Sequence, residues 1–165
     1  MSNRTEEKEL PQRKHPRLEL PVYREGHVVF VTIGTYNRYA WFQRYPALCE
    51  QAEDLLRELA RNRGGQLYAW CLMPDHVHIL VQDDDLIGMV RKFKGRMTPK
   101  SRALEPSRKL WQESFYDHIL RKEESVLKVA DYIWQNPVRA GLVDHPSQYP
   151  WSGSEVWPSW KEKYD

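Results

Sequence analysis

Along the chain the spacing of apolar and polar positions changes several times, and each change marks an element. Residues 1–25 carry many charges and three prolines, Pro11, Pro16 and Pro21, with no sustained apolar period, so this stretch is expected to form an extended arm outside the core. From His27 the run HVVFVTIGTY is β-branched and aromatic, the composition of a buried strand. After a polar and aromatic connection over Asn37–Arg44, Leu48, Ala52, Leu55, Leu56 and Leu59 recur at helical spacing. Pro46 suits the first turn of that helix and Gly64-Gly65 its end, which places it over about Pro46–Asn62. GQLYAWCLM and HVHILVQ follow as two strands joined by a tight turn at Pro74-Asp75. Leu86, Val90, Phe93 and Met97 then form the apolar stripe of a second helix, preceded by Asp83-Asp84-Asp85, whose charges favour a helix N-terminus, and broken by Pro99 and Pro106. The segment Leu110–Leu120 reads as a fourth strand and Lys122–Gln135 as a third helix, with Val126, Val129, Ala130 and Ile133 inward and Pro137 marking its end.

The order strand, helix, strand, strand, helix, strand, helix is the split βαβ-βαβ pattern. It predicts an α+β fold, a ferredoxin-like sandwich: an antiparallel sheet with helices on one face, plus an additional C-terminal helix. The domain boundaries expected from these changes are an arm over 1–25, one domain over 26–143, and a Trp- and Pro-rich tail over 144–165.

Composition narrows the class. At 165 residues, with 41% hydrophobic and 29% charged positions, the chain has the makings of one core, and its apolar runs are far too short to span a bilayer. The first ten residues, MSNRTEEKEL, lack the apolar region of a secretion signal, and Cys49 and Cys71 form neither a CxxC pair nor a disulfide framework. A reducing cytoplasm, with no membrane partner, is the expected setting. The net charge of +2 conceals a local concentration: Leu86–Leu110 holds Arg91, Lys92, Lys94, Arg96, Lys100, Arg102, Arg108 and Lys109 against Glu105 alone. Such a run is either a solvated helix face or a track for phosphates. Seven Trp and nine Tyr favour the second reading, because exposed aromatics beside cations suit unpaired bases.

Two constellations could carry chemistry. In His76-Val77-His78 the two imidazoles project from one face of a strand while Val77 points to the other. They are either hydrogen-bonded strand residues or two convergent ligands for a divalent cation. The sequence that follows, Ile79-Leu80-Val81, does not complete an HxHxDH metal motif, and the chain has no pair of His-x-Thr/Ser elements of a two-histidine phosphoesterase. A small-molecule metalloenzyme would also leave the basic run without a role. The second constellation is Tyr132 and Asn136, four residues apart and therefore on one helix face. Either they are a core residue and a cap before Pro137, or they present a phenol and an amide oxygen to a common ligand. Tyr116, on the expected fourth strand with His118, is a competing phenol.

Taken in chain order, these blocks resemble the HUH-type single-tyrosine (Y1, IS200-like) transposase family, and most of all its REP-associated tyrosine transposase branch. The residues that carry the resemblance are Met73-Pro74-Asp75-His76-Val77-His78, Leu110-Trp111-Gln112 with Phe115-Tyr116-Asp117-His118-Ile119-Leu120-Arg121, and Tyr132-Ile133 with Asn136-Pro137-Val138-Arg139-Ala140-Gly141-Leu142-Val143; Tyr149-Pro150-Trp151-Ser152-Gly153-Ser154 adds a further echo. The resemblance implies an enzyme that binds single-stranded DNA hairpins, cuts and rejoins beside them without ATP, and holds the cut end as a 5′-phosphotyrosine. It implies that Tyr132 is the nucleophile and that His76, His78 and Asn136 bind Mg²⁺ or Mn²⁺. Asn at the last position fits the REP-associated branch, the insertion-sequence branch usually having Gln there. On this reading Arg91, Lys92, Lys94, Arg96, Lys100 and Arg102, with Arg13 and Lys14 of the arm, contact DNA. The setting becomes cytoplasmic and nucleoid-associated, and either a monomer with Tyr132 acting in cis or a homodimer exchanging its helix is allowed. The alternative is a catalytically silent module that grips hairpins with the same surface.

Overall fold

The computed structural model describes residues 27–165, so the arm with Arg13 and Lys14 lies outside the described residues. Five strands, β1 (Val28–Gly34), β2 (Gln66–Met73), β3 (His76–Gln82), β4 (Tyr116–Ile119) and β5 (Ser152–Gly153), form one sheet in the order β4-β1-β3-β2-β5. Every neighbouring pair is antiparallel. The first four strands follow the expected ferredoxin-like order, and β5 extends the sheet beyond β2.

The strands' period-two alternation divides the apolar side chains between two layers. Val29, Val31 and Ile33 of β1, Leu67, Trp70 and Leu72 of β2, and Val77, Ile79 and Val81 of β3 all enter one core. That core is closed by α1 (Trp41–Arg44), α2 (Pro46–Arg63) and α3 (Leu86–Leu104). On α2 the buried positions Leu48, Ala52, Leu55, Leu56 and Leu59 are those of the sequence stripe, and the helix ends where Gly64 takes a left-handed φ of 68° and donates back to Ala60 and Arg61. Asp85 caps α3, its carboxylate accepting from the Gly88 amide.

The opposite layer is smaller. Phe30, Ala69, Cys71, Met73 and Leu80 meet Ala130, Ile133 and Trp134 of α4 (Val126–Trp134), together with Tyr149 and Trp160 from the C-terminal segment. This segment adds more than loose packing. The Tyr149 hydroxyl donates to the Leu72 carbonyl, the Trp134 indole donates to Gly153 O at 3.1 Å, and Trp160 stacks on Trp134 with centroids 4.7 Å apart. Cys49 and Cys71 are buried on the two sides, and burial pushes both thiols up to about 12, which keeps them unreactive.

Three boundaries differ from the sequence expectation. Pro99 does not break α3, which runs on to Leu104; Thr98 and Ser101 hydroxyls bond to the Lys94 and Thr98 carbonyls near the proline, and Met97 and Ser101 are buried on either side of it. The expected strand Leu110–Leu120 is reduced to β4 plus an isolated bridge between Thr35 and Trp111, because residues 113–115 leave the ladder between them. The third helix begins at Val126, not Lys122, since Ser125 supplies its cap by accepting from the Lys128 amide.

Candidate active site

Antiparallel pairing sets the site out on the α4 side of the sheet. Thr32 of β1 lies opposite His78 and Gly34 opposite His76, so all four share a face with Phe30. The β2–β3 turn that presents His76 is held in place: Thr35 donates from both its amide and its hydroxyl to Asp75 O, at 3.0 and 2.9 Å, and the Phe42 amide donates to Pro74 O. Arg38, in the left-handed region at φ 53°, reaches Asp75 at 3.4 Å.

The two imidazoles converge through their Nε2 atoms, 3.0 Å apart. Each ring is steered from behind. Asp75 Oδ1 lies 2.6 Å from His76 Nδ1, and Thr32 Oγ1 lies 2.9 Å from His78 Nδ1. Burial raises the Asp75 carboxyl, but the hydrogen bond and charge of His76, with Arg38, outweigh it and hold the group below its ordinary range. Asp75 is placed to accept a hydrogen bond from an Nδ1–H of His76, the arrangement in which Nε2 serves as a ligand. His78 is buried, 2% exposed, and burial, reinforced by His76 and Arg139, holds it well below the usual imidazole range, hence neutral.

This donor set fits a hard divalent cation. Adjacent ligands of an octahedron with bonds of ~2.1 Å lie about 3 Å apart, which is the Nε2 separation. Among the described residues no group of three or more His, Cys, Asp or Glu side chains is arranged to hold an ion. Asn136 is the near candidate by sequence. It opens α5 (Asn136–Arg139), with Pro137 in the first turn, and its Oδ1 accepts from Arg139 Nη2 at 3.4 Å.

Tyr132 projects from α4 with 40% of its surface exposed. Phe30 links it to the histidines: the Phe30 ring stacks on His78 at 5.4 Å and meets the Tyr132 ring edge-on at 6.2 Å. The Arg139 guanidinium lies 4.0 Å from the Tyr132 ring centroid and donates to the Tyr132 carbonyl. Tyr116 also faces this side, opposite Thr32 on β4, but is partly buried, while its neighbour His118 is taken up by Glu124 at 3.0 Å.

A known IS200-like transposase pattern runs through this arrangement: the family model described as "Transposase IS200 like" matches residues 24–136, more than half of the chain. The chain belongs to the IS200-like transposase family. A REP-associated tyrosine transposase of Escherichia coli K12 is 27% identical over 134 residues, covering 79% of this chain and 78% of that one. A putative REP-associated tyrosine transposase of Haemophilus influenzae is 30% identical over 110 residues, 54% of this chain and 62% of the relative. Among solved structures, a REP-associated tyrosine transposase bound to a REP hairpin superposes with a TM-score of 0.67 at 25% identity, over 85% of this chain and 81% of that one. Transposases of this family are enzymes with a metal-dependent reaction.

Sequence reasoning paired His76 with His78 and Tyr132 with Asn136, but missed the groups that position them. Asp75 adjoins the histidine pair and could have been read as its partner. Thr32, 46 residues from His78, carries no local signal. Gln112 is a third omission: its amide lies over Gly34, where a Cβ would stand 2.9 Å from Gln112 Oε1, so Gly34 makes room for a polar group beside the His76 register position. The basic helix α3 lies on the far side of the sheet. There Lys94 donates to the Gln112 and Glu113 carbonyls and Arg96 pairs with Glu58 at 3.0 Å, whereas Arg91, Lys92, Lys100 and Arg102 form no ion pair among the described residues.

Proposed function

We propose that this transposase binds single-stranded DNA hairpins of the REP type, cleaves the strand beside them and rejoins it through a 5′-phosphotyrosine on Tyr132. The observation that carries this reading is the meeting of the His76 and His78 Nε2 atoms at 3.0 Å, each ring oriented through its Nδ1, with Tyr132 one aromatic ring away. His76 and His78, with Asn136 directly or through water, would hold Mg²⁺ or Mn²⁺, which when bound supplies charge stabilisation to the scissile phosphate. Asp75 and Thr32 keep the rings in register for it.

The chain's own part in the step is then the attack. The bond from Tyr132 Oη to phosphorus forms while the bond from phosphorus to O3′ breaks; the phenol loses its proton and the departing O3′ gains one. The step neither oxidises nor reduces, and a 3′-hydroxyl of another end reverses it, so no hydrolytic water is needed. Phe30 fixes the side of the Tyr132 ring that faces the histidines. Arg91, Lys92, Lys100 and Arg102, and Arg13 and Lys14 of the arm, supply phosphate contacts outside the site.

Incubation with Mn²⁺ and a REP-type hairpin carrying single-stranded flanks yields a protein–DNA adduct on a denaturing gel. Tyr132→Phe removes the attacking oxygen alone, so the adduct disappears while hairpin affinity is kept; Tyr116→Phe retains the adduct. An adduct that survives Tyr132→Phe and is lost with Tyr116→Phe moves the nucleophile to β4. A chain that binds hairpins and forms no adduct is the silent binding module.

A further inference from the structure

Arg139 stands over the candidate nucleophile in a way that its other contacts do not explain. Its guanidinium stacks 4.0 Å from the Tyr132 ring centroid. Both of its hydrogen bonds, to the Tyr132 carbonyl and to Asn136 Oδ1, leave from Nη2. A guanidinium has five N–H donors; the three on Nε and Nη1 have no protein acceptor among the described residues, and no carboxylate there pairs with Arg139. Arg139 is exposed, so these remaining N–H groups face solvent, and a planar fork held in place by neutral acceptors is suited in shape and charge to an anion.

Resting on the strand-cleavage reading above, we infer that Arg139 is the phosphate-binding residue of the reaction: its free N–H groups hold the non-bridging oxygens of the scissile phosphate between Tyr132 Oη and the histidine pair. Two consequences follow from the contacts. The guanidinium is anchored by the backbone of the nucleophile itself, so the phosphate is placed relative to Tyr132 and not merely attracted to the surface. And because Asn136 Oδ1 shares the guanidinium at 3.4 Å, a long and therefore weak bond, a phosphate that draws Arg139 toward it releases that oxygen to turn to the histidine side. Substrate binding and completion of the ligand set are thereby coupled.

The test compares single-turnover adduct formation by the wild-type chain, Arg139→Lys and Arg139→Ala on two synthetic REP-type hairpins, one with an ordinary scissile phosphate and one with an uncharged methylphosphonate there. On the ordinary substrate Arg139→Ala slows adduct formation by about 100-fold or more, as loss of a preorganised donor to a developing charge does, while hairpin affinity stays within about threefold, since one phosphate contact among many is lost. Arg139→Lys recovers part of the rate, having the charge without the fork. On the methylphosphonate hairpin the wild type and Arg139→Ala converge, because there is no anion for the arginine to hold. Equal losses on both hairpins show that Arg139 only props up Tyr132 and overturn the inference, as does an Arg139→Ala chain of wild-type rate. A wild-type chain that forms no adduct with the ordinary hairpin overturns the strand-cleavage reading, and this inference with it.

Discussion

The two faces of β3 could hardly differ more, although they alternate residue by residue along one strand. Val77, Ile79 and Val81 enter an apolar layer under α2 and α3 in which each is at most 1% exposed. His76 and His78 face the other way, toward Phe30, Thr32 and the helix that carries Tyr132. The first face is made of groups whose burial stabilises the fold, at about 1.5–3 kcal/mol for each large aliphatic side chain. The second spends buried volume on polar groups that must each find a partner, and the partners, Asp75 and Thr32, leave the two Nε2 atoms facing one another at 3.0 Å. One strand thus separates stability from chemistry by the sign of its pleat, and substitutions one residue apart should separate in the same way.

The sharpest break in that comparison is at His78. His78→Gln keeps a polar side chain in the pocket but loses one convergent nitrogen, so adduct formation falls by more than about 100-fold, beyond the cost of losing an outer partner, and the thermal midpoint stays near that of the parent. Ile79→Ala, the next residue, does the converse. Denaturant unfolding shows a loss of about 2–5 kcal/mol, while the rate per folded molecule and the Mn²⁺ affinity are unchanged. Should Ile79→Ala cost chemistry as heavily as stability, the two faces are coupled and the comparison fails.

Thr32→Val sharpens it further, since the shape is kept and only the hydroxyl that orients His78 is removed. Mn²⁺ affinity, measured by calorimetry on the DNA-free chain, is expected to fall by about tenfold; an unchanged affinity would show that packing against Phe30 orients the ring unaided.

The smallest effect lies on the structural side, where Glu105 follows the end of α3 and accepts from the Tyr39 and Tyr45 hydroxyls at 2.8 Å and from Arg108 Nε at 3.0 Å. Partial desolvation raises this carboxyl, but the hydrogen bonds from Tyr45, Tyr39 and Arg108 prevail and hold it below its ordinary value of 4.5. A group bound more weakly by protons in the folded state contributes stability above its unfolded pKa and loses it as pH falls through the folded one. Stability should therefore decline below about pH 4.5 less steeply in Glu105→Gln than in the parent, with adduct formation at neutral pH unaltered; identical acid profiles would remove Glu105 from the account.

What could be read from the sequence was local and periodic. Period two alone put His76 and His78 on one face, the 3.6-residue stripe of Leu48–Leu59 located α2, and the order of elements led to the antiparallel β4-β1-β3-β2 arrangement. Breaks that depend on side-chain compensation were not legible. Pro99 is a helix breaker by type, yet α3 continues through it within a buried apolar stripe, and LWQESFYDHIL has strand composition, yet three residues of it leave the ladder.

The site shows the same division. The histidine pair is a property of one strand, and the Tyr132–Asn136 spacing follows the helical backbone that passes from α4 through Gln135 into α5, so the residues themselves displayed both. Whether that helix stands over the histidines, and on which side of the sheet, depends on packing: Ala130, Ile133 and Trp134 bury themselves against Cys71, Met73 and Leu80, and the C-terminal Trp160 stacks on Trp134. Strand pairing brings Thr32 to His78 on the neighbouring strand and lays Gln112 over Gly34, while the step from α4 into α5 folds Arg139 back onto the ring of Tyr132. Distances along a chain determine which side chains share a face, because backbone geometry is periodic. Which faces meet is decided by the burial of apolar surface over the whole domain, and no short window of sequence contains that sum.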